Sequence, residues 1–447
     1  MKRRCAVPKL HDIFHPGNTD LLEIMNLSNA EATRTDRYLS WQELRYRKAP
    51  AELSNEQWWL GIKLHRAQAR QFLPMSNTQG VAFSYASTGI VQQRLHLVDR
   101  EAGGMVMTDS KAAFTLADRD KYLMTGIVEE AIMSSMLEGA AVTRSEAREL
   151  LRSNRHPGNA HEQMVINNYR TMQMILRRKD EPLTPELIMA LHYSMVEGTL
   201  SAPEKAGVLR TETDRVYIED VRTGETIHTP PPAATLPERL EALCRFANGE
   251  DENSQYIHPA IRAIILHFQL AYDHPFVDGN GRTARSLFYW GMLHAGYWLF
   301  EYISISREIF RNSRSYYESF LNTEEDDNDL NYFIINQLDT ILKSIDSLLH
   351  HVRDKQQKRA ALQQALIHVH SINHRQREVL LRFLQHPNST TSVTIHCKEF
   401  SVVRQTARTD LTALADMGLL QATTVSREHI FTPSPHLEHR LAELAAL

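Results

Sequence analysis

Cysteine is scarce in this chain: Cys5, Cys244 and Cys397 are the three among 447 residues. They are far apart and odd in number, which argues against a disulfide framework or a thiolate metal site and leads us to expect a reducing, cytoplasmic setting. Long apolar runs are missing as well. The longest, Leu287 to Ile303, is broken by His294, Gly296 and Glu301; it is too short and too polar to span a bilayer, so no membrane partner is expected. Lys2, Arg3 and Arg4 are not followed by an apolar segment, so no secretory signal is expected. Charge of one sign is absent too. Lys+Arg 50 against Asp+Glu 54 gives a formal −4, and no global field advertises nucleic acid or an anionic surface. There is no internal repeat and no low-complexity tract. What is present is ordinary globular composition, 42% hydrophobic and 23% charged, in a chain long enough for two or three domains.

Helical periodicity dominates, which predicts a mainly α fold with one brief strand-like interval. Residues 1–104 read as an N-terminal helical region, in which Ser54 and Gln57 form a capping box ahead of Trp58, Trp59 and Leu60. Trp41, Trp58 and Trp59 read as core rather than as a ligand cage, because tryptophan supplies so much apolar area. Residues 76–104, richer in Ser, Thr and Gly, read as a loop or boundary. A helix over 121–137 follows, with Gly139 placed to cap it, and Thr143 with Glu146 opens another. Thr184 caps a helix over 182–197. Val216-Tyr217-Ile218 and Thr226-Ile227-His228, on either side of Asp220 to Gly224, carry a hairpin signature that Pro230, Pro231 and Pro232 end. Further helices are expected over 236–248, 259–272, 282–295, 306–320 and 330–365. After a helical linker, 346–372, the last segment 373–447 gives helices over 375–385 (ended by Pro387), 398–400 and 402–417, then a ribbon over 423–431. That is the order of a winged helix-turn-helix domain.

The densest chemistry lies in His274-Pro-Phe-Val-Asp-Gly-Asn-Gly-Arg-Thr-Ala-Arg285. A Gly-rich turn at a helix N-terminus aims backbone N–H groups at an anion, and the helix dipole adds to them. Gly279 and Gly281 allow close approach, and Asn280 can donate its side-chain amide to a phosphoryl oxygen. Asp278 is a hard oxygen ligand suited to Mg²⁺ or Mn²⁺ bridging phosphates. Arg282 and Arg285, three apart, share a helix face and can fork onto phosphate oxygens. His274 has the side chain whose ordinary pKa suits a base near neutrality. No Lys-Ser/Thr follows the last glycine, so this is not a Walker-type loop. The set fits transfer of a nucleotide to a hydroxyl.

These residues resemble the Fic family pattern His-x-Phe-x-Asp/Glu-Gly-Asn-Gly-Arg-x-x-Arg, with no departure at a fixed position. The resemblance extends over roughly 105–345 through Gly207 to Arg210, the hairpin, His258-Pro259, His267, and Asn312, Arg314, Tyr316 and Tyr317. It implies a Fic-type helical catalytic domain that moves AMP from ATP to a Ser, Thr or Tyr hydroxyl of a protein target, itself included, releasing pyrophosphate. His274 would be the base and Asp278 the metal ligand; Gly279, Asn280, Gly281 and Arg282 would cradle phosphates; Asn312, Tyr316 and Tyr317 would line the adenine side. Val216, Tyr217 and Ile218 would form a flap that docks the target by strand addition. Ser134-Ser-Met-Leu-Glu138-Gly resembles the family's inhibitory Ser/Thr-x-x-x-Glu-Gly/Asn motif. Ser134 and Glu138 share a helix face, so Glu138 is expected to meet Arg285 as a bidentate pair and hold the enzyme off. The same site run in reverse would remove AMP from a modified protein. A different class of reading is an ATP-sensing DNA-binding regulator. Against it, from residue 360 on, eight Lys/Arg face seven Asp/Glu, a net of +1, and DNA binding through Arg404, Gln405, Thr406, Arg408 and Arg427 is not favoured. A homodimer is an expected assembly.

Overall fold

The computed structural model describes residues 4–9, 24, 26, 37–50, 53–103, 116–153, 155–219, 224–250, 256–369, 371–385, 389–425 and 428–446. The chain divides into two compact units, Met1–Thr108 with Tyr122–Asp346, and Asp109–Lys121 with Ser347–Leu447. The fold is mainly helical. No described helix is long and apolar enough to cross a membrane.

The first unit opens with α1 (Trp41–Leu44) and α2 (Asn55–Gln68). Ser54 Oγ accepts from Gln57 N–H at 3.1 Å, and the Gln57 side chain accepts from Ser54 N–H at 2.9 Å, so the capping box forms as read. Trp41, Trp58 and Trp59 are buried with Leu39, Leu44 and Ile62 as a core cluster. The expected loop over 76–104 is instead ordered: β1 (Arg70–Ser76) pairs antiparallel with β2 (Ala82–Ala86), and α3 (Gly89–Ala102) follows. Leu73 and Met75 alternate inward on β1, whereas β2 is buried continuously from Phe83 to Ala86. The period-2 signal is short and carries an outward Phe72 and Pro74 on β1, and it is absent on β2.

Next come α4 (Leu116–Leu137), α5 (Arg144–Ser153), α6 (Ala160–Arg178) and α7 (Pro185–Val196). Gly139 takes φ +88 beyond α4, and Thr143 and Glu146 cap α5 mutually. Sequence periodicity missed α6 because its buried face carries Asn167, Asn168 and Thr171 beside Val165, Met172 and Ile175. The hairpin is β3 (Ile218–Glu219) with β4 (Thr226–His228), so Val216 and Tyr217 precede the strand they were expected to form; its turn at 220–223 lies outside the described residues. The scaffold of the site is α8 (Leu236–Asn248), α9 (Pro259–Asp273) and α10 (Asn280–His294). Gly291 lets α10 approach α9 closely: a Cβ there would lie 2.9 Å from Ala263 Cβ. The helix expected over 306–320 is split by Asn312 into α11 (Ile305–Arg311) and α12 (Ser313–Glu325). α13 (Asn331–His368) begins in the first unit and ends in the second.

The second unit contains α14 (His374–Gln385), β5 (Thr391–Ser392), α15 (Val393–Phe400), α16 (Arg404–Asp416), β6 (Leu420–Val425), β7 (Glu428–Pro433) and α17 (Leu437–Ala446). Its sheet order is β5-β7-β6, over a core that includes Val379, Phe383, Leu411, Leu414 and Phe431. The strand β5 and the helix α17 were not anticipated. Arg404, Gln405 and Arg408 are exposed and Thr406 is half-buried; Pro387 and Arg427 lie outside the described residues.

Candidate active site

The twelve-residue motif forms the junction between the end of α9 and the start of α10. His274 caps α9 in the left-handed region, φ 47 and ψ 56, and its N–H reaches Leu270 O. That backbone is uncommon for a residue with a Cβ, and Arg210 holds it. Arg210 Nε donates to His274 O at 2.8 Å, its Nη2 to Pro231 O at 2.5 Å, and its N–H to Pro275 O at 2.9 Å. His274 Nδ1 lies 3.2 Å from Ala271 O. A carbonyl only accepts, so Nδ1 carries the proton and Nε2 keeps its lone pair. Burial pushes the imidazole down to about 4, against the opposing pull of that carbonyl. His274 is therefore a neutral base at pH 7 with its acceptor nitrogen free of that bond.

His192 on α7, which the sequence reading did not single out, supports the turn from behind. It stacks on Phe276 with centroids 3.7 Å apart at 4°. Its Nδ1 accepts from Gly207 N–H at 3.0 Å, which makes Nε2 the donor to Asp278 O at 2.9 Å. Burial lowers its pKa to about 4. No local motif marks His192, since its partners lie far along the chain.

At the start of α10, Gly279 takes φ +80, and a Cβ there would meet Val196 Cγ1 at 2.6 Å. The Asn280 side chain departs from expectation. Its Oδ1 accepts from Phe276 N–H at 2.9 Å and its Nδ2 donates to Phe276 O at 2.8 Å. The side-chain amide holds the turn together, and the backbone N–H is what remains for an anion. Arg282 is 1% exposed, yet its acceptors are distant: Met195 O at 3.3 Å and Asp278 Oδ2 at 3.4 Å. Its Nε has no partner among the described residues. A buried cation so weakly satisfied suits an incoming anion.

Arg285, 2% exposed, is fully engaged. Nε donates to Ser134 Oγ at 2.9 Å, Nη2 to Ser134 O at 3.1 Å, and Nη1 lies 2.9 Å from Glu138 Oε1. The expected bidentate Glu138–Arg285 pair is thus a single contact, because Ser134 takes the other edge of the guanidinium. Glu138 also covers the cradle: a Cβ on residue 281 would lie 2.3 Å from its Oε1.

Asp278 is well exposed, with Oδ1 accepting from Gly279 N–H at 2.6 Å. Among the described residues no three His, Cys, Asp or Glu side chains gather as a metal site. One exposed carboxylate fits Mg²⁺ held jointly with a nucleotide's phosphates, and not an ion caged by protein alone. The three residues expected on the adenine side diverge. Tyr316 is buried with its hydroxyl 2.9 Å from His267 Nε2, Tyr317 is 48% exposed, and Asn312 is exposed at the α11–α12 break. On the hairpin, Tyr217 is exposed while Val216 and Ile218 are half-buried. His228 fastens β4 to the end of α9, with Nε2 donating to Tyr272 O at 2.8 Å and Nδ1 facing Glu324 Oε2 at 2.9 Å. Burial would lower the His228 pKa, but the Glu324 carboxylate and the Tyr272 carbonyl raise it overall.

Residues 182–291 match the profile of the Fic/DOC family. The chain is 25% identical over 232 residues to the protein adenylyltransferase Fic of Drosophila mojavensis, covering 50% of this chain and 43% of that protein. It is 28% identical over 170 residues to the protein adenylyltransferase Fic of Nematostella vectensis, 37% of each. The chain therefore spans less than half the length of these relatives. Among solved structures, a Fic family protein from Desulfovibrio desulfuricans G20 matches with TM-score 0.53 at 16% identity, over 81% of this chain and 99% of that one. The segment that holds the motif is thus similar to the Fic/DOC family, on a fold shared with a Fic family protein.

Proposed function

We propose that this protein is an adenylyltransferase that moves AMP from ATP to a Ser, Thr or Tyr hydroxyl of a protein target and of itself, held off by Glu138. The observation that carries the reading is a neutral His274 at the end of α9, in the same turn as the glycines, beside an Arg282 that is buried and under-satisfied. His274 Nε2 takes the proton of the incoming hydroxyl as its oxygen attacks the α-phosphorus. The phosphoester to AMP forms, the α–β bridging bond breaks, and pyrophosphate leaves. Arg282 and the backbone N–H groups at the start of α10 meet the charge that builds on the phosphates. Asp278 would hold Mg²⁺ against those phosphates, where it would neutralise charge. With Glu138 on Arg285 and over Gly281, the third phosphate has no seat, and ATP is expected to bind unproductively. The exposed Tyr217 suits the hairpin to target docking. We read the second unit as a winged helix-turn-helix used for docking, supported by its helix–strand–helix–helix–strand–strand order.

The test feeds the Glu138→Gly chain ATP labelled at either the α- or the γ-phosphate. Label from the α position should become covalently attached and should vanish with an added His274→Ala. Attachment of γ label would mean phosphotransfer and defeat the reading.

A further inference from the structure

The end of α4, which leads into Glu138, is tied to α6 through Ser135. Ser135 is fully buried, and its carbonyl accepts from Glu138 N–H at 3.2 Å and from Ala140 N–H at 3.0 Å. Those two bonds and the one from Gly139 N–H to Met136 O at 3.1 Å close the last turn and, with Gly139 at φ +88, set the direction in which the chain leaves the helix. The Ser135 hydroxyl faces the opposite way, into α6. It donates to Ala131 O at 2.8 Å with Met164 O at 3.4 Å, and it accepts from Asn168 Nδ2 at 3.3 Å. Asn168 Nδ2 also reaches Ala131 O at 3.2 Å. Asn168 is 2% exposed. A buried amide is not placed against an apolar helix face without a partner to satisfy it.

The neighbouring Asn167 grips a different element. Its Nδ2 donates to Glu197 O at 2.7 Å and lies 3.4 Å from Met195 O, at the end of α7. Met195 O also receives Arg282, and Val196 is the side chain packed on Gly279. Two adjacent amides on α6 therefore hold the inhibitory helix on one side and the back of the phosphate cradle on the other.

We propose that Asn168 is a positioning residue for inhibition: through Ser135 it seats the last turn of α4 so that Glu138 falls on Arg285 and Gly281. This rests on Glu138 being inhibitory, and it adds the element that keeps Glu138 in place. Loosening this latch frees the carboxylate without touching nucleotide, base or cradle. Loss of buried hydrogen bonds of this kind implies a rise in productive turnover of about tenfold.

The experiment measures self-labelling from α-phosphate-labelled ATP for the native chain, Asn168→Ala, Ser135→Ala, Glu138→Gly and Asn168→Ala/Glu138→Gly, each checked for folding by its thermal melt. Asn168→Ala should label about tenfold faster than native, Ser135→Ala should rise in the same direction, and Asn168→Ala should add nothing to Glu138→Gly. Ser135→Ala alone serves if Asn168→Ala does not fold, since alanine suits a helix interior. Asn167→Ala is the contrast: it should lower labelling in the Glu138→Gly background, because it loosens the cradle. If Glu138→Gly is fast while Asn168→Ala and Ser135→Ala stay at the native rate, the latch is overturned and the inhibitory carboxylate stands. If Glu138→Gly is itself no faster than native, both fall together.

Discussion

Replacing Glu138 with glycine removes one contact whose strength can be bounded. Its carboxylate lies 2.9 Å from a guanidinium that is almost wholly buried, while Glu138 itself is about one-third open to solvent. A hydrogen bond between charged groups contributes about 1.5–3 kcal/mol net. Solvent at Glu138 keeps the value inside that range, and a full Coulomb estimate for a dry pair does not apply. On the proposed reading a triphosphate that needs Arg285 must displace this bond, so the native chain should be held back by about 1.5–3 kcal/mol, or roughly 10- to 140-fold at 1.4 kcal/mol per decade. The assay is initial-rate self-labelling at saturating ATP. Glu138→Gly should rise by that factor, and Glu138→Gln should rise less, since it keeps the shape and drops the charge. A Glu138→Gly rate within twofold of native would refute the reasoning, because Ser134 alone would then account for where Arg285 sits.

Four further outcomes follow from the same geometry. Gly281→Ala places a Cβ 2.3 Å from Glu138 Oε1 and 3.2 Å from Arg285 Nη1; it should displace the carboxylate yet lower labelling at least about tenfold even with Glu138→Gly, because the methyl fills the cradle. The pH profile of kcat/KM for Glu138→Gly should be flat from pH 8 to about 5 and fall toward 4, because His274, pushed down to about 4, is an unprotonated base above that value; a fall centred near 6.5 would show an ordinary imidazole. His192 titrates near 4 in the folded chain and near its ordinary 6.5 when unfolded. The unfolded state thus binds the proton first, so this contribution to stability is complete above about 6.5 and is lost as pH drops toward 4. The loss is about 3 kcal/mol at 1.36 kcal/mol per pH unit, and denaturation midpoints at pH 7 and 4.5 should converge partly in His192→Asn. Finally, micromolar protein should not retard duplex DNA in low salt; retardation removed by Arg404→Ala with Arg408→Ala would assign the second unit to nucleic acid.

Where a feature depends on neighbours within a few residues, the sequence was legible. The Ser54–Gln57 and Thr143–Glu146 boxes, the Thr184 cap and the glycine turns follow from local hydrogen bonding. The β1–β2 hairpin was not legible because β1 carries Pro74 and an outward Phe72, and β2, buried from Phe83 to Ala86, has no alternation to read. Helix α6 escaped because its inward face is partly amide, and periodicity counts only apolar side chains.

What the sequence determined by itself is a set of side chains brought together along one short stretch: an imidazole, a carboxylate, two glycines and two arginines within twelve residues, between the end of one helix and the start of the next. What only the tertiary structure decided is how those groups are employed. It turned the Asn280 amide inward onto Phe276 and left Arg282 Nε without an acceptor among the described residues. It divided Arg285 between Ser134 and Glu138, and brought His192 to Asp278. Those outcomes depend on which polar atoms packing buries and which partners arrive from distant helices, and no spacing along the chain encodes either.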